Sequence, residues 1–179
     1  MIIEKSIVEQ RIISVQNGNM EDFDLLYRYT REFLYMYALS VVKDYYMADD
    51  AVQEAFIRAY RYIHKYRPGT NPLAWLIEIT KNAAINAKNN GSSVIIVDTN
   101  PRIKSNRINP ESFAEDALYV DYILKKLPAG ERQVVVMHLY GELTFKETAN
   151  ALKLPVTTVE WRYKSAIRKL KKALDKSQS

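Results

Sequence analysis

This 179-residue chain has no cysteine, two histidines, five glycines and six prolines. Without cysteine there is no disulfide and no thiolate metal site, which fits a reducing compartment. So little glycine and proline argues against a low-complexity chain. The histidines, His64 and His138, lie too far apart for the ligand spacing of a metal site. We therefore expect no metal and no cofactor.

Long apolar runs are also missing. The longest, residues 33–39 with Val41 and Val42 just beyond, is far too short to span a bilayer. The first twenty residues mix acids and bases and lack the apolar centre of a signal peptide. No glycine-rich phosphate loop, nucleophile motif or marked acid–base pair occurs. These features are typical of a soluble, cytoplasmic protein without a membrane partner, and they supply no catalytic residue.

Apolar residues make up 47% of the chain, enough for hydrophobic cores. The basic excess lies near the C-terminus: residues 118–179 hold 12 Lys and Arg against 6 Asp and Glu, whereas residues 1–90 hold 11 of each. Such a segment is often only a solvated helix face. It is also the electrostatic footprint of a nucleic-acid-binding protein.

Helical periodicity runs through most of the sequence. It predicts helices at about residues 3–16, 21–41, 49–67, 72–89, 111–127, 131–140, 144–152 and 155–176. Residues 91–110 lack the pattern, and we interpret them as a linker; a buried strand at residues 94–97 is the alternative, but it has no partner strand. We expect an all-α fold with two helical domains, residues 1–90 and 111–179, joined by a flexible linker.

The segment DDAVQEAFIRAYRYIHKYR, residues 49–67, is the most informative. Its helical spacing gives an apolar stripe, an acidic first turn, and other sides that carry cations and aromatic rings. Such sides can neutralise phosphates and stack unpaired bases. A solvated amphipathic helix with half-buried tyrosines explains the pattern equally well. The stripe is Val52, Phe56, Ala59 and Ile63, the first turn holds Asp49, Asp50 and Glu54, and the other sides carry Arg58, Arg61, Tyr62, Lys65 and Tyr66.

The last two predicted helices have the spacing of a helix-turn-helix. Small Ala149 stands where two helices must cross closely, and Pro155 with the capping-box pattern Thr157-x-x-Glu160 indicates the start of the second helix. Any helical hairpin can imitate this pattern, and Lys153 occupies the turn position where glycine is usual. The spacing turns Val159, Tyr163, Ala166, Leu170 and Leu174 inward. It turns Thr157, Thr158, Glu160, Trp161, Lys164, Ser165 and Arg168 outward, toward a major groove.

Three segments resemble bacterial sigma factors of the extracytoplasmic-function (ECF) type. FDLLYRYTREFLYMYALSVVKDYYMADDAVQEAFIRAY, residues 23–60, is similar to their core-binding region. NPLAWLIEITKNAAIN, residues 71–86, is similar to the helix that follows. LPAGERQVVVMHLYGELTFKETANALKLPVTTVEWRYKSAIRKLKKAL, residues 127–174, is similar to the region that reads the −35 promoter element.

The resemblance implies a non-enzymatic, dissociable subunit of RNA polymerase that selects promoters and assists their melting. Asp50, Gln53, Glu54 and Ile57 would bind the clamp helices of the largest polymerase subunit. The implied −10 and single-strand-binding residues are Arg58, Tyr62, Lys65, Tyr66, Arg67, Asn71, Trp75 and Lys81. The implied −35 residues are Thr157, Thr158, Glu160, Trp161, Arg162, Lys164, Ser165 and Arg168. Residues 134–139 would meet the flap of the second-largest subunit, the linker would lie near the RNA exit path, and an anti-sigma factor is a common further partner.

The sequence departs from the family pattern in the last helix. The family usually has a base at position 160, a small residue at 161 and often arginine at 165, where this chain has Glu160, Trp161 and Ser165. A carboxylate can accept from cytosine N4 but repels phosphate, so we expect atypical promoter choice. Two alternatives stay open: a stand-alone helix-turn-helix regulator that binds operator DNA without polymerase, and a helical adaptor that binds polymerase but not DNA.

Overall fold

The computed structural model describes residues 3–90 and 124–177, which form helices and turns without a strand. The predicted all-α fold is therefore confirmed over these residues. The linker at residues 91–110, its alternative strand and the start of the helix predicted from residue 111 lie outside them, so the domain boundaries stay a prediction. The helices are α1 (Lys5–Gln16), α2 (Glu21–Val42), α3 (Tyr45–Tyr62), α4 (Pro72–Asn90), α5 (Ala129–Leu139), α6 (Phe145–Leu152) and α7 (Val156–Ser177), with a 3₁₀ turn at Ile63–Lys65.

Two helices begin where a side chain accepts a hydrogen bond from a backbone N–H of the first turn, which has no partner within the helix. The Asn71 side chain accepts from the Ala74 N–H at 3.1 Å, and Pro72 opens α4. This cap confirms the start predicted for α4. Thr144 caps α6 in a reciprocal capping box with Glu147, which satisfies two donors at once.

The bounds predicted for α3 were wrong at both ends. Asp44 is extended and accepts from the Met47 N–H at 2.9 Å, so the helix begins at Tyr45. Asp49 therefore lies a full turn inside the helix, and the predicted acidic first turn is absent from α3. The α-helix ends at Tyr62, because the chain tightens there into the 3₁₀ turn.

Helices α1 to α4 pack around one hydrophobic core. The stripe predicted for α3 is buried, including Val52, Phe56 and Ala59. Phe56 meets Phe23 and Tyr27 of α2 edge to face, with ring centroids 6.3 and 4.7 Å apart. Burying such a side chain contributes roughly 1.5–3 kcal/mol, so this stripe orients the opposite faces of α3 toward solvent.

Helices α5 to α7 form the predicted helix-turn-helix with one supporting helix. Ala149 of α6 and Val159 of α7 are both buried where the two helices cross. Lys153 ends α6 in the left-handed region, with φ 56°. For a residue with a Cβ this conformation costs roughly 1–2 kcal/mol, which glycine avoids. Lys153 therefore makes the usual glycine turn at some cost in stability.

The two helical groups contact each other directly. Helix α2 packs on α5, and α4 packs on α6. The Phe33 ring lies so close to Gly141 that a Cβ there would come within 2.6 Å of it. Ion pairs join Lys5 to Glu147 at 2.6 Å and Lys153 to Glu78 at 3.2 Å.

Within the described ranges, no helix has the length and apolarity needed to cross a membrane.

Candidate nucleic-acid interface

The residues expected to bind polymerase lie together on the side of α3 opposite its apolar stripe. Asp50 is exposed, and Gln53, Glu54 and Ile57 are half-buried. Gln53 donates to the Asp49 carboxylate at 2.9 Å. Glu54 is 2.6 Å from Arg58, one turn along the same helix. The structure therefore holds these polar groups in fixed orientations within one surface.

Downstream of α3, cations and rings gather around the turn at residues 62–71. Lys65 lies over the exposed Tyr62 ring with its ammonium 4.7 Å from the centroid. Arg67 is exposed, and Trp75 and Lys81 are half-buried. A ring with an adjacent cation suits an unpaired base and its phosphate, so this turn has the chemistry expected of a single-strand site.

Tyr66 is the exception in this group, because the structure buries it. Its side chain is 3% exposed, and its ring packs edge-on against Trp75 with centroids 5.4 Å apart. The expectation that Tyr66 lies open for stacking was wrong: the 3₁₀ turn rotates the ring inward beneath the loop. Burial, together with the hydrogen bond to Glu9, raises the pKa of the Tyr66 hydroxyl to about 12. The hydroxyl therefore stays protonated and remains a donor.

Two residues of α1 hold this turn from below. Glu9 accepts from the Gly69 N–H at 2.5 Å and from the Tyr66 hydroxyl at 3.0 Å. Gln16 donates to the carbonyls of Ile63 and Tyr66, at 2.8 and 2.9 Å. Neither residue is detectable from the sequence, since no local pattern connects side chains about fifty positions apart.

Asn71 contacts both helical groups. Its carbonyl oxygen caps α4, and its amide nitrogen donates to Glu147 of α6 at 2.8 Å. Burial opposes ionisation of Glu147, but hydrogen bonds from Lys5 and Thr144, with the Lys5 charge, hold the pKa of this carboxyl below its ordinary value. In this conformation the Asn71 amide, which is expected to meet a −10 base, is hydrogen-bonded to Glu147 instead.

The N-terminal half of α7 presents most of the residues predicted to read the −35 element. Trp161 is 61% exposed. Lys164, Arg168 and Thr157 are exposed, and Thr158 and Glu160 are half-buried. Val159 and Ala166 are buried on the opposite face, as predicted. The outer face of this helix therefore combines a large ring, two cations and a carboxylate.

Ser165 does not belong to that outer face. It is 7% exposed and donates to the Glu131 carboxylate of α5 at 3.0 Å. Lys169 reaches the same oxygen at 2.7 Å. The prediction that Ser165 faces outward was wrong, because the buried Glu131 requires donors and α7 supplies them from this side.

Two further predicted contacts are modified by packing. Arg162 is half-buried with its guanidinium against Gly130 at the start of α5, where a Cβ would come within 2.8 Å of it. In the segment expected to meet the polymerase flap, Val134 to Met137 are fully buried. Leu139 is 55% exposed, so it is the apolar side chain this segment offers to a partner.

Residues 3–90 and 124–177 contain no group of His, Asp or Glu that could hold a metal ion.

A helical bundle with an aromatic, cationic turn, packed beside a helix-turn-helix with a basic outer face, is typical of a DNA-binding protein. Sequence comparison with protein families gives two matches, sigma-70 region 2 over residues 26–92 and sigma-70 region 4 over residues 123–172. Together they include more than half of the chain. The region 2 match covers most of α2 and all of α3 and α4, and the region 4 match covers α5, α6 and most of α7.

Individual proteins show the same likeness. The ECF RNA polymerase sigma factor SigM of Bacillus subtilis is 27% identical over 134 residues, 73% of this chain and 82% of SigM. The solved structure of CnrH in complex with the cytosolic domain of CnrY has a TM-score of 0.68 and 24% identity, with 94% of this chain and 97% of CnrH covered. The sigma factor RpoE, solved with the anti-sigma factor NepR from Bartonella quintana, has a TM-score of 0.64 and 20% identity, with 87% and 98% covered.

The chain belongs to the sigma-70 family and is a sigma factor of the ECF type. As such it binds core RNA polymerase and promoter DNA and directs promoter-specific transcription. Sigma factors are non-enzymatic initiation factors.

Proposed function

We propose that this sigma factor uses four surfaces for initiation, two for polymerase and two for promoter DNA, and carries no catalytic activity of its own. The α3 face of Asp50, Gln53, Glu54 and Ile57 binds the clamp helices of the largest polymerase subunit, and Leu139 meets the flap of the second-largest. The turn after α3 takes the melted −10 strand. The outer face of α7 reads the −35 element, and the chain works in the cytoplasm, where the polymerase is.

The observation that carries this proposal is the two-sided character of α7. Its inner side is fixed by Val159 and Ala166 in the core, so the outer side is held rigidly for docking in a groove. Lys164 and Arg168 suit phosphates, whose neutralisation supplies most sequence-independent affinity. Glu160, Trp161, Thr157 and Thr158 suit base edges. Arg162, held against Gly130, supplies a cation at the rim.

The residues that we assign to the −10 element are exposed or half-buried. Tyr62 with Lys65 forms the stacking platform, and Arg67 and Lys81 neutralise the backbone. Asn71 and Trp75 read or support a flipped base, and Arg58 adds a cation at the edge of the polymerase surface. Each base stacked on an aromatic ring contributes about 1–3 kcal/mol, which offsets the cost of separating the strands.

The experiment is run-off transcription with core polymerase on genomic fragments, with and without the chain, followed by mapping of start sites. We expect new start sites that share −10 and −35 sequences. The double change Gln53→Ala/Glu54→Ala should abolish them by weakening polymerase binding, whereas Glu32→Ala, at an exposed position of α2, should not. If the chain adds no start sites but binds DNA tightly alone, the stand-alone regulator is the better account.

We also propose an anti-sigma factor as a regulatory partner. RpoE was solved with the anti-sigma factor NepR, and CnrH with the cytosolic domain of CnrY. Those two sigma factors share the fold of this chain, which supports the proposal. A protein in this role lowers the yield of the run-off assay and competes with core polymerase for the chain.

A further inference from the structure

Helix α1 lies outside both family matches, since the region 2 match begins at residue 26. It nevertheless packs against the turn that we assign to the −10 strand. Val8 and Ile12 anchor α1 in the core of the bundle. The polar side of the same helix then presents Glu9 and Gln16 to the turn, one above the other along its axis.

Four hydrogen bonds join this polar side to the turn. Glu9 accepts from the Gly69 N–H and the Tyr66 hydroxyl, and Gln16 donates to the Ile63 and Tyr66 carbonyls. Gly69 has φ +83°, a conformation that favours glycine. Its N–H donates to the Glu9 carboxylate at the protein surface, so the chain is tied to α1 at the point where it reverses between Tyr62 and Asn71.

Glu9 is the stronger of the two supports, because an ionised acceptor makes shorter and stronger hydrogen bonds than a neutral one. The single hydroxyl hydrogen of Tyr66 is shared between Glu9 and the Thr70 carbonyl, 3.0 and 2.9 Å away. That hydroxyl remains protonated at neutral pH, so it donates throughout the working range. The Tyr66 ring in turn lies against Trp75, which connects Glu9 to the base-binding side.

We propose that Glu9 is a positioning residue for −10 recognition: it fixes the 66–71 turn so that Trp75 and Asn71 face the captured base. This inference rests on the proposed function of the turn. It assigns to α1 a role in base selection, not only in stability. A carboxylate near DNA would by itself repel phosphate, so the two effects of Glu9 have opposite signs and can be separated.

The test uses the full chain with core polymerase on a mapped promoter and on variants changed at each −10 base. Three chains are compared with the unchanged one: Glu9→Ala, Glu9→Gln, and Gln10→Ala on the exposed neighbouring position of α1. We expect Glu9→Ala to reduce open-complex formation about tenfold or more, as for loss of a charged hydrogen-bonding partner, and to flatten the ranking of −10 bases. Glu9→Gln keeps an acceptor oxygen and should recover most of that ranking. Gln10→Ala should match the unchanged chain.

Polymerase binding and the thermal midpoint are measured in parallel. If Glu9→Ala loses activity equally on every −10 variant, in proportion to a lower midpoint, Glu9 is merely structural and the proposal fails. If Glu9→Ala raises DNA affinity with the ranking intact, repulsion dominates and the proposal fails as well. The unchanged chain serves as the reference: if it initiates no transcription, the proposed function fails, whereas an active chain with an indifferent Glu9 overturns this inference alone.

Discussion

Lys164 and Ser165 are neighbours on α7 with different environments. Lys164 is exposed, whereas Ser165 is buried and bonded to Glu131 of α5. Helical spacing correctly predicted which side chains of this helix are most buried, Val159 and Ala166, and that Trp161 is strongly exposed. It failed at Ser165, on the border between the two faces, because the deciding residue lies 34 positions away and leaves no signal within α7.

This contrast gives a prediction for each residue of the pair. Ser165→Ala removes one donor from a buried carboxylate, so the free energy of unfolding should fall by about 1–3 kcal/mol in denaturant melts. Its −35 preference should not change. Lys164→Ala should leave stability intact, weaken binding to every promoter, and reduce the salt slope by about one. If Ser165→Ala instead changes the promoter ranking at constant stability, Ser165 reads DNA and this structural assignment is wrong.

At the scale of helices, two identical sequence patterns have different outcomes. Thr144-x-x-Glu147 and Thr157-x-x-Glu160 both fit a capping box, and the prediction from the sequence was that the second forms the cap. In the structure the first is the capping box of α6, with both reciprocal bonds made. Thr157 lies inside α7, which already begins at Val156. The pattern identifies a possible cap, but the path of the chain after Lys153 and Pro155 decides which one forms.

The two threonines therefore form a matched pair for experiment. Thr144→Ala should lower the free energy of unfolding by about 1 kcal/mol, with a range of about 0.5–2, because α6 loses its N-cap. Thr157→Ala should change stability by less than about 0.5 kcal/mol, as expected for a surface substitution. Urea unfolding of both variants measures the difference. Equal losses would mean that Thr157 makes a cap comparable to that of Thr144.

At the scale of the whole chain, sequence predicted most helices, the core stripe of α3 and the inner face of α7. In each of these features apolar residues recur at helical spacing within one helix, so the periodicity of the sequence is sufficient to detect it. It could not predict how the two helical groups pack, because the contacts of Phe33 with Gly141 and of Lys5 with Glu147 join distant segments. Periodicity also could not show that the Asn71 amide donates a hydrogen bond to Glu147 of α6.

These contacts give Glu147 two tasks. It completes the cap of α6, and it pairs with Lys5 and Asn71 of the other helical group. Its pKa is held below the ordinary value, so its contribution is fully present above the unfolded pKa of glutamate. That contribution is lost as pH falls through the lowered pKa. At neutral pH the carboxylate is therefore charged, and a base that takes the Asn71 amide must displace it.

Weakening this contact should expose the −10 site. Lys5→Glu replaces attraction to Glu147 by repulsion and leaves the α6 cap and Asn71 untouched; the native pair is half-exposed and contributes no more than about 1 kcal/mol. We expect a larger radius of gyration in small-angle X-ray scattering and tighter binding of the free chain to a single-stranded −10 oligonucleotide in fluorescence anisotropy. Lys88→Glu, at an exposed position near the end of α4, makes the same change in net charge and should reduce oligonucleotide binding without changing the radius. If Lys5→Glu behaves like Lys88→Glu in both measurements, the Lys5–Glu147 pair does not hold the two helical groups together over the −10 site.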